Sequence, residues 1–162
     1  MVGYSDASLG RNDHEGKSTS GGVVLLFGDS VNWFTTRQKV VAATSTMEAE
    51  YIAMTQVTKK LMAAFGLILK FIKVQDKPIL YSDSSAALCA VKAEVSKALT
   101  HLYHLEYHFV RQAFVTKSLV LRWVSSKEQL ADTLTKALPK SNFEKLRERL
   151  LMNFEHPLKG RN

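Results

Sequence analysis

The sequence predicts an α/β domain in which a mixed sheet is covered by helices. Three observations carry this. Short runs rich in Val, Ile, Phe, Tyr and Trp are bounded by Gly, Pro, Asp and Ser, as strands are. A long stretch from residue 46 to about 74 places apolar residues at steps of three and four, the helical period. The strands come first and then alternate with helices, the order of a sheet with helices laid on it.

Taken in order, residues 2–5 read as the end of a strand, and LGRNDHEGKSTSGG as a loop rich in turn residues. Residues 23–27 and 31–35 form a hairpin around a tight turn at 28–30. The long helix follows. Pro78 then introduces a strand at 79–82, which leads into a short helix at 84–92 and a loop at 93–100. Helix is expected at 105–115, strand at 119–124, and helix again at 128–138, closed by Pro139. Phe143, Leu146 and Leu150 mark a last amphipathic helix with Lys145, Arg147, Glu148 and Arg149 outside. Residues 1–152 are therefore expected as one domain and 153–162 as a flexible tail. Trp33 and Trp123, both in predicted strands, are expected in the core.

Composition narrows the class. A chain of 162 residues holds one domain with a proper core, and 46% hydrophobic residues with 23% charged ones fit a globular protein. The best apolar run, residues 61–74, is short and broken by Lys70 and Lys73, so no membrane span is expected. MVGYSDAS has no basic region followed by an apolar one, so no signal peptide is expected either. The single Cys89 fits a reducing compartment. The net charge of +7 points to a polyanionic partner, although ordinary solubility explains charge alone.

The candidate chemistry lies in the acids. Glu48 and Glu50 open the long helix in TSTMEAEYIAM. The apolar stripe runs Met54, Val57, Leu61, Phe65, Ile68, Ile72, and one step backward from Met54 lands on Glu50. Glu48 lies roughly 200° round the helix from it. With Ser45 three residues earlier, Glu48 has capping-box spacing and a structural role at hand. Glu50, on the buried stripe, must be paired, protonated or bound to metal. Asp6 and Asp83 each follow a strand in the echoing phrases VGYSDAS and ILYSDSS. Either alone reads as a turn or cap aspartate. Two strands ending alike would set both carboxylates at the sheet's carboxyl edge, where ligand sites gather. Asp132, in EQLADTLTKAL, lies beside the stripe of its predicted helix and would complete a four-carboxylate cluster. Oxygen-only donors suit Mg2+ or Mn2+, and two such ions roughly 3.5–4 Å apart can clamp both oxygens of a phosphodiester displacement.

GYSDAS, KSTSGG, NWFTTRQKVVAATSTMEAEYIA, LYSDSSAAL, YHFVRQ, QLADTLTKALP and FEKLRERL occur in the order and spacing of a known family. From Gly3 to about Leu151 the chain resembles the ribonuclease H domain of copia-type (Ty1/copia) long-terminal-repeat retrotransposon Pol polyproteins. The resemblance implies the ribonuclease H-like fold: a five-stranded mixed sheet, three antiparallel strands then two parallel, flanked by α-helices. It also implies an Asp-Glu-Asp-Asp metal cluster, here Asp6, Glu50, Asp83 and Asp132, as both metal ligands and catalytic residues. Glu50-Tyr51-Ile52-Ala53 fits the family's Glu-x-x-Ala phrase. Three departures stand out. Asp83-Ser84 replaces the usual Asp-Asn, and His101-Leu102-Tyr103-His104 replaces Lys-His-Ile-Asp. Met1 lies almost on the first strand, as in a domain cut from a longer polyprotein or a truncated gene.

The activity implied is hydrolysis of the RNA strand of RNA/DNA hybrids with two Mg2+ ions, for which Mn2+ is expected to substitute. A reverse transcriptase domain is the expected N-terminal neighbour in the parent polyprotein. The expected location is intracellular and cytoplasmic, including retroelement particles. Substrate contacts are expected from Arg11, Lys17, Arg37, Gln38 and Lys39, with Ser84 and Ser85 near the metals; each basic residue has solvated surface charge as its plain alternative. SSKEQLAD contains no His, so none of the five histidines is assigned to catalysis. Two other readings stand beside this one. A domesticated domain would bind hybrid or a protein without cutting, and has no use for four acids. An integrase of the same fold would use three acids at another spacing.

Overall fold

In the computed structural model, residues 1–10, 16–38, 45–93 and 108–151 are described, and they build a five-stranded sheet with helices on both faces. The strands are β1 (Val2–Ser8), β2 (Thr19–Leu26), β3 (Asp29–Arg37), β4 (Ile79–Ser82) and β5 (Val120–Trp123), in the spatial order β3-β2-β1-β4-β5. β1, β2 and β3 pair antiparallel, whereas β4 runs parallel to β1, and β5 parallel to β4. This is the sheet the resemblance implies. The helices are α1 (Thr46–Ile68), α2 (Ser85–Lys92), α3 (Phe109–Val115) and α4 (Lys140–Leu150). Two short 3-10 turns, Ser126–Glu128 and Leu130–Leu134, lie between β5 and α4.

α1 covers one face. Met54, Val57 and Leu61 are fully buried there and meet Val24, Leu80, Leu88, Val91 and Val110. Ser45 starts the helix by accepting a hydrogen bond from the Glu48 backbone N–H at 3.2 Å. α1 ends at Ile68 rather than near residue 74, and Ile72 is exposed. The other face carries Tyr4, Val23, Leu25, Val124, Leu130, Ala131 and Leu146, so α4 docks through Leu146. Each fully buried Val, Leu or Met among these contributes about 1.5–3 kcal/mol by leaving water.

Two adjacent glycines of β2 let both layers approach closely. A Cβ on Gly22 would meet Val57 and Phe34 on the α1 face at 2.4 and 2.5 Å, and one on Gly21 would meet Thr135 at 2.5 Å on the other. Gly21 stands opposite Asp6, so the absence of a side chain there is what admits the Thr135 segment to Asp6.

Several expectations need correction. β1 continues to Ser8, so Asp6 lies within a strand: β4 stops pairing after Tyr81, but β2 goes on pairing as far as Ser8. The segment expected as a helix over 128–138 holds the 3-10 turn Leu130–Leu134 instead, followed by irregular backbone. Its hydroxyls and amide bond the local backbone, with Thr133 Oγ1 donating to the Leu130 carbonyl and Gln129 Oε1 accepting from the Ala131 N–H. Trp33 and Trp123 are 65% and 60% exposed rather than in the core. Both sit on edge strands, which among the described residues have a neighbouring strand on one side only. The tail 153–162 and most of the loop 93–100 lie outside the described residues.

Candidate metal centre

The Tyr-Ser-Asp phrases of β1 and β4 run side by side. Tyr4 pairs with Tyr81, and their rings stack with centroids 5.1 Å apart and planes 17° from parallel. Two residues further on stand Asp6, within β1, and Asp83, just past the end of β4. Asp132 reaches the same point from the 3-10 turn Leu130–Leu134. One carboxylate oxygen from each of Asp6, Asp83 and Asp132 lies within 4.8 Å of the others. Glu50 stands beside this tight group rather than in it, on the first turns of α1.

Each of the three aspartates is held by named partners. The Thr135 hydroxyl donates to Asp6 Oδ2. Lys136 Nζ lies 2.9 Å from Asp6 Oδ1 and 2.9 Å from Asp132 Oδ1. Ser126 Oγ donates to Asp83 Oδ2 at 2.7 Å, and the Trp123 indole N–H donates to the Asp83 carbonyl at 3.1 Å. Gln129, fully buried, donates from Nε2 to the Ser5 carbonyl at 3.0 Å and so ties the turn carrying Asp132 to the strand carrying Asp6. Thr35 Oγ1 adds a bond to the Leu134 carbonyl at 2.9 Å.

The electrostatics reflect crowding. Burial, then the Asp6 and Asp83 charges, push the Glu50 carboxyl up to about 9, opposed by the Ala7 backbone N–H and by Lys136. Burial also raises Asp132, to about 6, against the Lys136 hydrogen bond. Lys136 itself is raised, because the two aspartates outweigh its burial. Glu50 Oε2 is buried with no hydrogen-bond partner. A buried carboxylate oxygen without a donor, beside three more carboxylates, fits a hard divalent cation, whose ligands are oxygens. Asp6, Asp83 and Asp132, with Glu50 beside them, could hold a divalent metal ion here.

Glu48 differs from Glu50. Its backbone N–H is taken by the Ser45 cap, and Asp6 and Asp83 act electrostatically on Glu50, two residues further on. The expected substrate contacts divide. Lys17 and Arg37 are described, and the pairing of Ser8 with Thr19 and of Thr19 with Arg37 puts Arg37 at the same end of the sheet as Asp6. Gln38 is a correction. It is buried, and its Nε2 donates to Ser20 Oγ and the Ala49 carbonyl, each at 2.9 Å, so it braces β2 against α1 rather than facing a ligand. Ser84 caps α2 by accepting from the Ala87 N–H, and Ser85 is exposed at the helix start. Arg11 and Lys39 lie outside the described residues, as do His14, His101, His104 and His156. Sequence reasoning misses Lys136, Thr135, Ser126 and Gln129. Only Lys136 leaves a readable signal, as the opposite charge four residues after Asp132.

No protein-family model matches the chain. It is 32% identical over 148 residues to the Retrovirus-related Pol polyprotein from transposon TNT 1-94 of Nicotiana tabacum, a match covering 91% of this chain and 11% of that protein. It is 34% identical over 144 residues to the Pol polyprotein from transposon RE2 of Arabidopsis thaliana, covering 87% and 10%. It is 28% identical over 150 residues to the Ty1-NL2 Gag-Pol polyprotein of Saccharomyces cerevisiae, covering 90% and 8%. The chain thus spans about a tenth of the length of the curated relatives it matches. Among solved structures, it is similar in fold to LC11-RNase H1 in complex with RNA/DNA hybrid, with TM-score 0.55, 14% identity, and 82% of this chain and 91% of that one covered. The N-terminal RNase H domain of a Mycobacterium tuberculosis protein gives TM-score 0.56 at 13% identity, covering 90% and 94%.

Proposed function

The chain is a relative of the copia-type retrotransposon Pol polyproteins built on the ribonuclease H fold, and from that premise we propose that it hydrolyses the RNA strand of RNA/DNA hybrids with divalent metal ions. The observation that carries this reading is the meeting of Asp6, Asp83 and Asp132 oxygens within 4.8 Å, beside the buried, unpartnered Oε2 of Glu50. The fold neighbour LC11-RNase H1 was solved in complex with an RNA/DNA hybrid, and the similar sequences are Pol polyproteins, which supports the substrate class.

Divalent ions bound at such a centre make a water more acidic and neutralise charge on the leaving oxygen. The chain's part is to hold the donors in place. Asp6, on β1, and Asp83, just past the end of the parallel strand β4, would hold the ions centrally. Glu50 and Asp132 flank them from α1 and the 3-10 turn. Ser126 and Trp123 fix the side chain and the carbonyl of Asp83. Lys17, Arg37 and Ser85 would grip the backbone, with 2′-hydroxyl contacts distinguishing RNA from DNA. In a parent polyprotein this segment would follow a reverse transcriptase domain. Among the described residues, no helix is long and apolar enough to cross a membrane.

The test is cleavage of a labelled RNA/DNA hybrid with Mg2+ or Mn2+, run beside Asp83→Asn. Metal-dependent cutting of the RNA strand, nearly lost in the variant, supports the reading. A folded parent that binds hybrid without cutting points instead to a binding domain on the same fold.

A further inference from the structure

Lys136 is the cation that the acidic cluster already contains. Its ammonium stands 2.9 Å from one oxygen of Asp6 and 2.9 Å from one oxygen of Asp132, on side chains 0% and 8% exposed. The second oxygen of Asp6 takes the Thr135 hydroxyl, so each oxygen of this buried carboxylate has a partner from one of two adjacent residues. That turn is anchored independently by Gln129 to Ser5 and by Thr35 to the Leu134 carbonyl. The Lys136 backbone N–H also donates to the Asp132 carbonyl at 3.0 Å, which holds the Lys136 backbone beside the turn that carries Asp132.

A divalent ion held by both Asp6 and Asp132 would compete with the Lys136 ammonium for these two carboxylates, whose Oδ1 atoms the ammonium contacts. Lys136 has a way out, because its side chain is 38% exposed and its four-carbon stem is flexible. We propose that Lys136 is a built-in counter-ion that holds Asp6 and Asp132 together in the metal-free chain and must withdraw when a divalent cation binds there. This rests on the metal-dependent reading given above. Lys136 is then a positioning residue whose ion pairs stabilise the metal-free fold and weaken metal affinity. A lysine with a purely structural role predicts the reverse for affinity: its removal would loosen the cluster and weaken metal uptake.

Two measurements test this on the full chain with Mn2+ or Mg2+ alone as the probe. In the first, acylation of lysines is mapped by mass spectrometry with and without Mg2+. Lys136 is expected to react slowly in the metal-free protein and several-fold faster with the ion present. In the second, Mn2+ binding is titrated calorimetrically in the parent, Lys136→Met and Lys136→Arg. Lys136→Met is expected to bind Mn2+ roughly tenfold more tightly while melting at a lower temperature without metal, and Lys136→Arg to restore parent-like behaviour in both. A parent that binds Mn2+ while Lys136 labelling stays unchanged or falls, or a Lys136→Met protein that binds Mn2+ no more tightly, overturns the displacement and leaves the proposed reaction standing. A parent that takes up no Mn2+ overturns both. The labelling arm needs no variant, so a Lys136→Met chain that fails to fold does not remove the test.

Discussion

Tyr4 and Tyr81 are directly paired across the parallel strands β1 and β4, and their stacked rings lock the register that brings Asp6 alongside Asp83. A slip of one residue in that pairing would turn one carboxylate to the opposite face of the sheet. The site therefore depends on strand register as much as on the acids. The same pair explains how two short phrases about eighty positions apart in the chain come to act together.

The two glutamates of α1 are expected to separate cleanly. Glu50→Gln should lower hybrid cleavage by on the order of 100-fold or more, because it removes a charged oxygen donor beside Asp6 and Asp83. Glu48→Gln should leave turnover within about twofold and cost at most about 1 kcal/mol of stability, the scale of a first-turn acid at a helix start. Parallel turnover assays and thermal melts check both. Loss of turnover in Glu48→Gln with Glu50→Gln active would reverse the assignment.

Ser126 is expected to matter through Asp83. Ser126→Ala removes the 2.7 Å hydrogen bond to Asp83 Oδ2 and should weaken Mn2+ binding and activity by roughly tenfold, the usual scale for a partner behind a metal ligand. Calorimetry beside the cleavage assay checks this. Raising the Mn2+ concentration should recover part of the lost rate, whereas a Ser126 that acts elsewhere would show no such recovery.

Stability should depend on pH in a stated direction. Burial and neighbouring charge raise Glu50 from 4.5 to about 9 and Asp132 from 3.8 to about 6 in the folded chain. The metal-free fold therefore keeps protons that the unfolded chain has released. The Glu50 contribution is fully present below 4.5 and is lost as pH rises toward about 9. Metal uptake runs the other way, because it needs the deprotonated carboxylates. The melting temperature of the metal-free parent should fall across this window relative to Glu50→Gln, and the gain on adding Mg2+ should grow. A parent and variant with the same pH slope would contradict this.

How far the fold and site can be read from sequence follows what each residue's environment depends on. β4 and α2 are readable because Pro78, an apolar run and a Ser cap are local signals. Glu50 is readable because a helical stripe fixes direction from sequence alone. Trp33 and Trp123 are misplaced because their burial depends on which strands end up at the sheet's edges, and strand order is not written in any one segment. The turn around Asp132 reads as a helix because Leu130 and Leu134 keep helical spacing, while the hydroxyls of Thr133 and Thr135 and the amide of Gln129 favour tighter local bonding. Gln38 looks like a surface contact beside Arg37 and Lys39, yet one step along the strand turns it inward onto Ser20 and Ala49.

The most direct measurement is anomalous diffraction from crystals of the chain soaked in Mn2+. Anomalous density bounded by the carboxylates of Asp6, Asp83, Glu50 and Asp132, and absent from Asp83→Asn crystals, is the predicted result. Mn2+ found only elsewhere on the surface, or Glu50 turned to solvent while Glu48 faces the ions, would contradict it.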